Sequence, residues 1–266
     1  MWEMNESTLK SLINDSHLKG FPTGFRYLDY LLNGLEKGWL YFLAGRTGVG
    51  KTSLAVNIAR NLAINSKKKV LYISVGMSFY RLALKFLLLE SGYNEWELRS
   101  AEGNEVLNEA IKRNGETPIL VDDTCNITIE QIERRIISIR PDIVIIDYLQ
   151  LIDVEEKLKT RQAEMSSITR LLKRMARRYD IPIILLSKVG SEVDEREDKR
   201  PDIYDLRRYG AIAQDMDVIM FLYREDYYEE LDTIHATEIR IAKARQCKCV
   251  TSCLGFINER EKYVDL

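Results

Sequence analysis

Cysteine is scarce in this chain, with four in 266 residues. That is too few for a disulfide framework at this length, and a reducing cytoplasm is the expected setting. Cys247, Cys249 and Cys253 cluster, but no histidine stands near them. A fourth zinc ligand is missing unless the fold brings Cys125 close, so core or surface thiols are the simpler reading. Histidine is scarcer still, and His17 and His235 sit in no recognisable partner pattern. No apolar run is long enough to span a bilayer, and no basic-then-apolar signal pattern opens the chain, so no membrane association is expected. An excess of positive charge is missing as well. The net charge is −2 and the pI about 5.9, which excludes a globally basic nucleic-acid binder and leaves any DNA contact to local patches. Neither an internal repeat nor a low-complexity segment interrupts the chain. What is present is 45% hydrophobic and 30% charged, a composition suited to one large α/β domain with an appendage.

The most informative stretch is Gly45-Arg46-Thr47-Gly48-Val49-Gly50-Lys51-Thr52. It follows the apolar run Leu40 to Ala44, which reads as a buried strand. It opens onto a segment where Leu54, Ile58, Leu62 and Ala55, Ala59, Ala63 recur at helical spacing. Strand, glycine loop, Lys-Thr and helix is the context that marks a P-loop. Its glycines let backbone N–H groups close around phosphate oxygens, and the helix N-terminus adds positive potential. Gly45, Arg46, Thr47, Gly48, Val49, Gly50, Lys51, Thr52 and Ser53 are therefore the expected cradle for ATP. Lys51 reaches the β and γ phosphates, and the Thr52 hydroxyl binds Mg²⁺. A chance match in a glycine-rich turn is the competing reading, and the strand-to-helix context argues against it.

Residues 1–20 read as an arm, with Leu9, Leu12 and Ile13 as a short apolar stripe on a helix too short to be stable alone. From residue 21 to 266 strands and helices alternate. Val70–Val75, Pro118–Val121, Ile143–Ile146, Ile181–Leu186, Val218–Leu222 and Glu238–Ala242 read as strands. Thr128-Ile129-Glu130-Gln131 reads as a capping box opening a helix. Short buried strands separated by helices predict an α/β fold with a mostly parallel twisted sheet and helices on both faces. Ligands in such folds sit at the carboxyl ends of the strands. Pro141 to Asp147 is a buried strand ending in an acid, where a Walker B aspartate holds Mg²⁺.

Asp147-Tyr148-Leu149-Gln150-Leu151 resembles the Walker B segment of the replicative DnaB-type hexameric helicases. Other blocks resemble the same family in the same order: Phe21 to Asp29, Asp122-Asp123-Thr124, Lys199-Arg200-Pro201, Asp205 to Asp217, Ile219 to Arg224, and Lys243-Ala244-Arg245. The resemblance implies a RecA-like P-loop NTPase motor domain, without the separate N-terminal domain of full-length relatives. It implies a homo-oligomeric ring, most simply a hexamer, with the arm as a linker helix docked on a neighbour. It further implies single-stranded DNA as partner, with helicase loader or replisome proteins beside it. By the same resemblance, Arg207, Arg208 and Gly210 grip the DNA backbone, and Lys243 and Arg245 carry the arginine finger to a neighbour's nucleotide. Two residues apart on a strand, Lys243 and Arg245 point to one face; without the other motifs they would be ordinary surface cations. The charged segment from Gly190 to Gly210 reads as a long mobile loop with no part in the core. The basic run Arg170, Lys173, Arg174, Arg177, Arg178 reads as a solvated helix face.

The chain also departs from the family pattern. Gly76, in Val75-Gly76-Met77, stands where relatives carry the glutamate that polarises the attacking water. Lys188 stands where they carry a glutamine that senses the γ phosphate; as a cation it still contacts that phosphate. Arg208-Tyr209 replaces an acidic-then-small pair, and Gln246 to Cys249 replaces a glycine-containing turn. Asp122 and Asp123 are alternative groups for placing water. The leading reading is an ATP-dependent helicase motor. The second is an ATP-binding, hydrolysis-impaired assembly or regulatory protein of the same fold. A recombinase-like or clock-type relative is disfavoured by the Asp147–Leu151 block and the order of the later motifs.

Overall fold

The computed structural model describes residues 18–100, 104–155, 157–225, 235–245 and 250–266. The arm stripe Leu9, Leu12 and Ile13, together with His17, Cys247 and Cys249, lies outside them.

The apolar runs form one nine-stranded sheet in the order β3-β2-β4-β5-β1-β6-β7-β8-β9. The parallel strands are β1 (Leu40–Gly45), β2 (Val70–Ser74), β3 (Ile119–Asp122), β4 (Ile143–Asp147), β5 (Ile183–Lys188) and β6 (Val218–Arg224). The chain then turns antiparallel through β7 (His235–Ala244), β8 (Val250–Ile257) and β9 (Lys262–Asp265). The strand expected at Glu238–Ala242 is thus longer and opens an antiparallel extension.

Strand alternation divides the core in two. Tyr41 and Leu43 of β1 pack with α1 (Arg26–Leu32), α2 (Lys51–Asn65) and α3 (Phe79–Ser91). Leu40, Phe42 and Ala44 face the opposite side. There they meet Ile129, Ile132 and Ile136 of α6 (Ile129–Ile139) and Ile168, Leu172 and Met175 of α7 (Arg161–Tyr179). Two further helices, α4 (Glu95–Ser100) and α5 (Glu105–Gly115), lie between α3 and β3 in the chain, and α8 (Ile212–Asp215) precedes β6. The capping box forms as read: Thr128 Oγ1 accepts from Gln131 N at 3.3 Å, and Thr128 N donates to Gln131 Oε1 at 2.9 Å.

Register decides which residues share an edge. Gly45 lies opposite Lys188 and Leu222, and Ser74 opposite Asp147, so these residues share the carboxyl edge of the parallel strands. Tyr41 lies opposite Val218, and Val218 opposite Ala244, at the other edge.

The segment between β5 and α8 corrects the expectation of a loop with no core. Val193, Leu206 and Tyr209 are buried within it. Two 3-10 turns, Ser191–Glu195 and Ile203–Tyr209, carry them. Its charges pair largely with one another and with the domain: Arg196 with Asp205 at 2.9 Å, Arg200 with Glu238 at 2.7 Å, and Arg46 with Asp194 at 2.7 Å.

Candidate functional site: a P-loop and its two edges

Between β1 and α2 the chain turns tightly, with φ of 87° at Gly48 and 106° at Gly50. At Gly50 a side chain is excluded twice over. The backbone is left-handed, and an added Cβ would lie 2.3 Å from the Tyr263 hydroxyl. α2 has no side-chain cap at its N-terminus, so its first-turn amides face outward for an anion. They open onto a cavity of about 280 Å³ lined by Gly48, Lys51, Thr52, Lys85, Arg224 and Phe256, among others.

Lys51 is buried, and its ammonium donates to the carbonyls of Gly45 at 2.9 Å and Arg46 at 2.7 Å. Burial pulls its pKa from an ordinary 10.5 down to about 8, against the attraction of Asp147. This yields a pH prediction. A bound triphosphate favours the charged ammonium and raises that pKa, so binding draws on the protonated form. Affinity should be full below about 8, where the free protein already carries the proton. It should fall as pH rises beyond that, by up to about tenfold per pH unit. Calorimetric ADP and ATP titrations between about pH 7 and 9.5 check this, and a flat profile would exclude Lys51 as the phosphate's counter-charge.

Thr52 Oγ1 donates to Asp147 Oδ2 at 2.6 Å, and the Tyr72 hydroxyl donates to the same oxygen at 3.3 Å. Burial pushes the Asp147 carboxyl up, while Thr52 and Lys51 hold it down. A hydroxyl and a buried carboxylate side by side at a phosphate site fit a divalent cation with oxygen ligands. Lys188 also reaches this edge, its ammonium 2.7 Å from the Tyr148 hydroxyl and 4.1 Å from that ring's centroid. Lys51, Thr52, Asp147 and Lys188 thus stand together at this edge.

Other expected residues are placed differently. Lys243 turns inward to donate to the carbonyls of Ala213 and Met216, both at 2.7 Å. Arg245 lies just past the end of β7, exposed, with Nε 2.9 Å from Asp217 Oδ1. Both stand at the edge opposite the P-loop, so neither serves the nucleotide of its own chain. Arg207 packs 4.4 Å from the Tyr204 ring and has no carboxylate partner among the described residues, whereas Arg208 pairs with Glu192 at 2.5 Å. Gly210, expected to grip the DNA backbone, has its amide engaged within the chain, donating to Arg207 O at 3.1 Å. Its φ of 84° and the Ser166 hydroxyl, 2.6 Å from an added Cβ, give the glycine a conformational role. Asp122 pairs with Arg135 at 2.7 Å and accepts the Thr124 amide; Asp123 accepts the Phe79 amide at 2.7 Å. Both are engaged locally and neither lines the cavity.

Sequence reasoning missed the covering of the nucleotide cavity. The turn between β8 and β9 brings Glu261 onto α2, where it accepts from Ser53 Oγ and its carbonyl accepts from Asn57 Nδ2 at 2.8 Å. Tyr263 N donates to Asn57 Oδ1 at 3.0 Å. Asn57 on the inner face of α2 was the available signal, a polar side chain in an otherwise apolar stripe. Among the described residues no group of His, Cys, Asp and Glu is placed to hold a metal on its own, and Cys125 and Cys253 are free thiols. No described helix is long and apolar enough to cross a membrane.

Known proteins place this geometry in a family. The DnaB-like helicase C terminal domain family matches residues 20–265. The replicative DNA helicase DnaB of Geobacillus stearothermophilus is 37% identical over 262 residues, which cover 95% of this chain and 58% of that protein. Replicative DNA helicase DnaC of Bacillus subtilis is 37% identical over 94% of this chain and 57% of its own length. The chain therefore spans a little over half the length of these curated relatives. Among solved structures, one described as an ATPase domain superposes with a TM-score of 0.91 at 31% identity, over 98% of this chain and 96% of that one. A KaiC-like protein of Pyrococcus horikoshii, at 15% identity and a TM-score of 0.62, shares the fold alone. An α/β sheet of RecA type, a P-loop beside a buried Walker aspartate, and a family match over nearly the whole length give one conclusion: this chain belongs to the DnaB-like helicase C-terminal domain family.

Proposed function

We propose that the chain is the ATP-driven motor domain of a replicative DNA helicase, working as a ring on single-stranded DNA in the cytoplasm. The observation that carries the proposal is the division of charge between the two edges of the sheet. Lys51, Thr52 and Asp147 sit at one edge, and Arg245 sits at the other, where it can serve only a neighbouring subunit's nucleotide. Repeating that arrangement head to tail closes a ring, of which a hexamer is the family's form. Thr52 and Asp147 would hold Mg²⁺, which would supply charge neutralisation to the bound phosphates. Lys51 binds those phosphates, and Arg245 of the neighbour stabilises charge on the transferred group, an effect worth about 10³–10⁵ in rate where such fingers are known. Lys243 supports the finger by holding α8 in place, and Lys188 adds a further cation near the γ phosphate. Replisome proteins are the expected partners; a solved DnaB-like replicative helicase that superposes at a TM-score of 0.92 is described with its primase interactions.

A second reading, an ATP-binding relative with impaired hydrolysis, is favoured by one observation. The Tyr148 ring fills the space beside Gly76, where an added Cβ would lie 2.7 Å from Tyr148 Cε1; by the resemblance, Gly76 stands at the position of the water-activating glutamate. Steady-state ATPase with and without single-stranded DNA separates the two. Stimulation by DNA supports the motor, and slow DNA-independent turnover supports the regulator.

On the DNA side, Arg207 is the cation ready for a phosphate, while Arg208 must first leave Glu192. Arg207→Ala should weaken single-strand binding about equally for all sequences and flatten its dependence on log salt by about 0.7 per lost contact. Arg208→Ala should do less. An unchanged salt titration for Arg207→Ala would reduce the segment to a solvated surface. Sedimentation with a non-hydrolysable ATP analogue tests the ring, and a strict monomer at high protein concentration would rule it out.

A further inference from the structure

Asp217 stands at the start of β6, at the edge away from the P-loop, and its side chain is only 1% exposed. A buried carboxylate is costly unless its charge is matched. Here Oδ2 accepts the Leu40 amide at 2.8 Å and the Lys173 ammonium at 2.5 Å. Lys173, read from the sequence as part of a solvated helix face, also donates to Gly38 O at 2.8 Å, so it is built into this corner. The other oxygen, Oδ1, is buried and accepts no aligned hydrogen bond among the described residues; its compensation is Arg245 Nε, 2.9 Å away. The Arg245 side chain remains 64% exposed. It opens on a cavity of about 360 Å³ lined also by Lys37, Lys173, Arg177 and Asp180.

An arginine held at Nε keeps its two terminal amino groups, which carry four of its five N–H donors, available for an anion. A fully buried acid fixed by a backbone amide and a lysine is a rigid mount for such a side chain. We propose that Asp217 is the positioning residue for Arg245: it grips the Nε end of the guanidinium and presents the terminal amino groups to the phosphate of a neighbouring copy of this chain. Lys173 holds the acid in turn. The proposal rests on the reading of Arg245 as a finger acting between subunits.

The test is a double-mutant cycle on single-turnover ATP hydrolysis, which remains measurable when turnover is slow, in protein assembled with single-stranded DNA. Arg245→Ala should lower the rate by about 10³-fold or more. Asp217→Asn keeps an acceptor for Leu40 N but loses the charge, and should lower the rate about 10²-fold through misplacement. ATP affinity should be unchanged, because the P-loop lies at the other edge. In the Arg245→Ala background, Asp217→Asn should do nothing further. If Arg245→Ala alone leaves the rate intact, the finger reading fails. If Arg245→Ala is slow but the two changes multiply, or Asp217→Asn is as fast as wild type, the positioning role fails on its own. Should Asp217→Asn not fold, the exposed Arg245→Lys decides. Lysine gathers its donors on one nitrogen and lacks the planar fork that separates the Nε contact from the terminal amino groups, so it cannot be gripped at one end and presented at the other. The variant should be nearly as slow as Arg245→Ala, and a rate near wild type overturns the proposal.

Discussion

Lys51→Ala is expected to abolish measurable ATP and ADP binding. The residue is 8% exposed and its side chain already lies against the P-loop, so its position is set before nucleotide arrives. Its ammonium bonds directly to the carbonyls of Gly45 and Arg46 at the neck of the loop. Without it the phosphates keep the backbone amides of the α2 N-terminus but lose a fixed counter-charge in a site shielded from water. Removing one partner of a buried charged contact costs about 3–5 kcal/mol, or roughly 10² to 4 × 10³-fold in affinity. The variant also strips two carbonyls of a donor, which costs about 1–3 kcal/mol if water does not replace it. The free protein should therefore melt somewhat earlier, and the comparison must be made between each variant's own melting temperature with and without nucleotide. Wild type should show a nucleotide-induced rise and Lys51→Ala none. A rise that survives in the variant would show that this loop is not the phosphate cradle.

The P-loop and the Walker aspartate were legible because their determinants are local. A glycine pattern fixes the turn, the following apolar period fixes the helix, and an apolar run ending in Asp147 fixes the strand. The capping box at Thr128 was legible for the same reason. Residues far apart in the chain were not. Asn57 meets Glu261 and Tyr263 across a separation that no sequence period encodes. Lys173 looks like its neighbours on a basic helix, yet it is the member of that run that pairs with Asp217. Lys243 and Arg245 were expected to act together because alternate strand residues share a face. The rule requires both to lie in the strand, and β7 ends at Ala244, so Arg245 is free to turn to Asp217 while Lys243 points into the domain. In the segment after β5, the abundance of charge concealed the three apolar anchors Val193, Leu206 and Tyr209, because each is isolated among polar neighbours.

The combined change Gly76→Glu with Lys188→Gln is expected to raise the hydrolysis rate by about 10²–10⁴-fold, the usual worth of a positioned general base. In the reaction, water oxygen bonds to the γ phosphorus, the bond to ADP oxygen breaks, and the water proton passes to the carboxylate. Gly76 has no group to accept it. The backbone at Gly76 is outside the left-handed region, so a side chain is tolerated there as far as φ is concerned. Space is the obstacle. The new Cβ would press on Tyr148 Cε1 at 2.7 Å, and Tyr148 is tethered through its hydroxyl to the Lys188 ammonium. Forcing the ring aside while that tether holds costs about 1–3 kcal/mol of overpacking, and the ammonium would also draw the new carboxylate away from water. Gly76→Glu alone should therefore gain little and melt earlier. Replacing Lys188 by glutamine removes both the ammonium tether and the competing charge. Single-turnover rates for wild type, the two single variants and the double variant decide the matter. A wild-type rate already at about 10 s⁻¹, an ordinary enzyme turnover, would show that another group activates the water. A gain from Gly76→Glu alone as large as that of the double variant would show that Tyr148 and Lys188 do not guard the position.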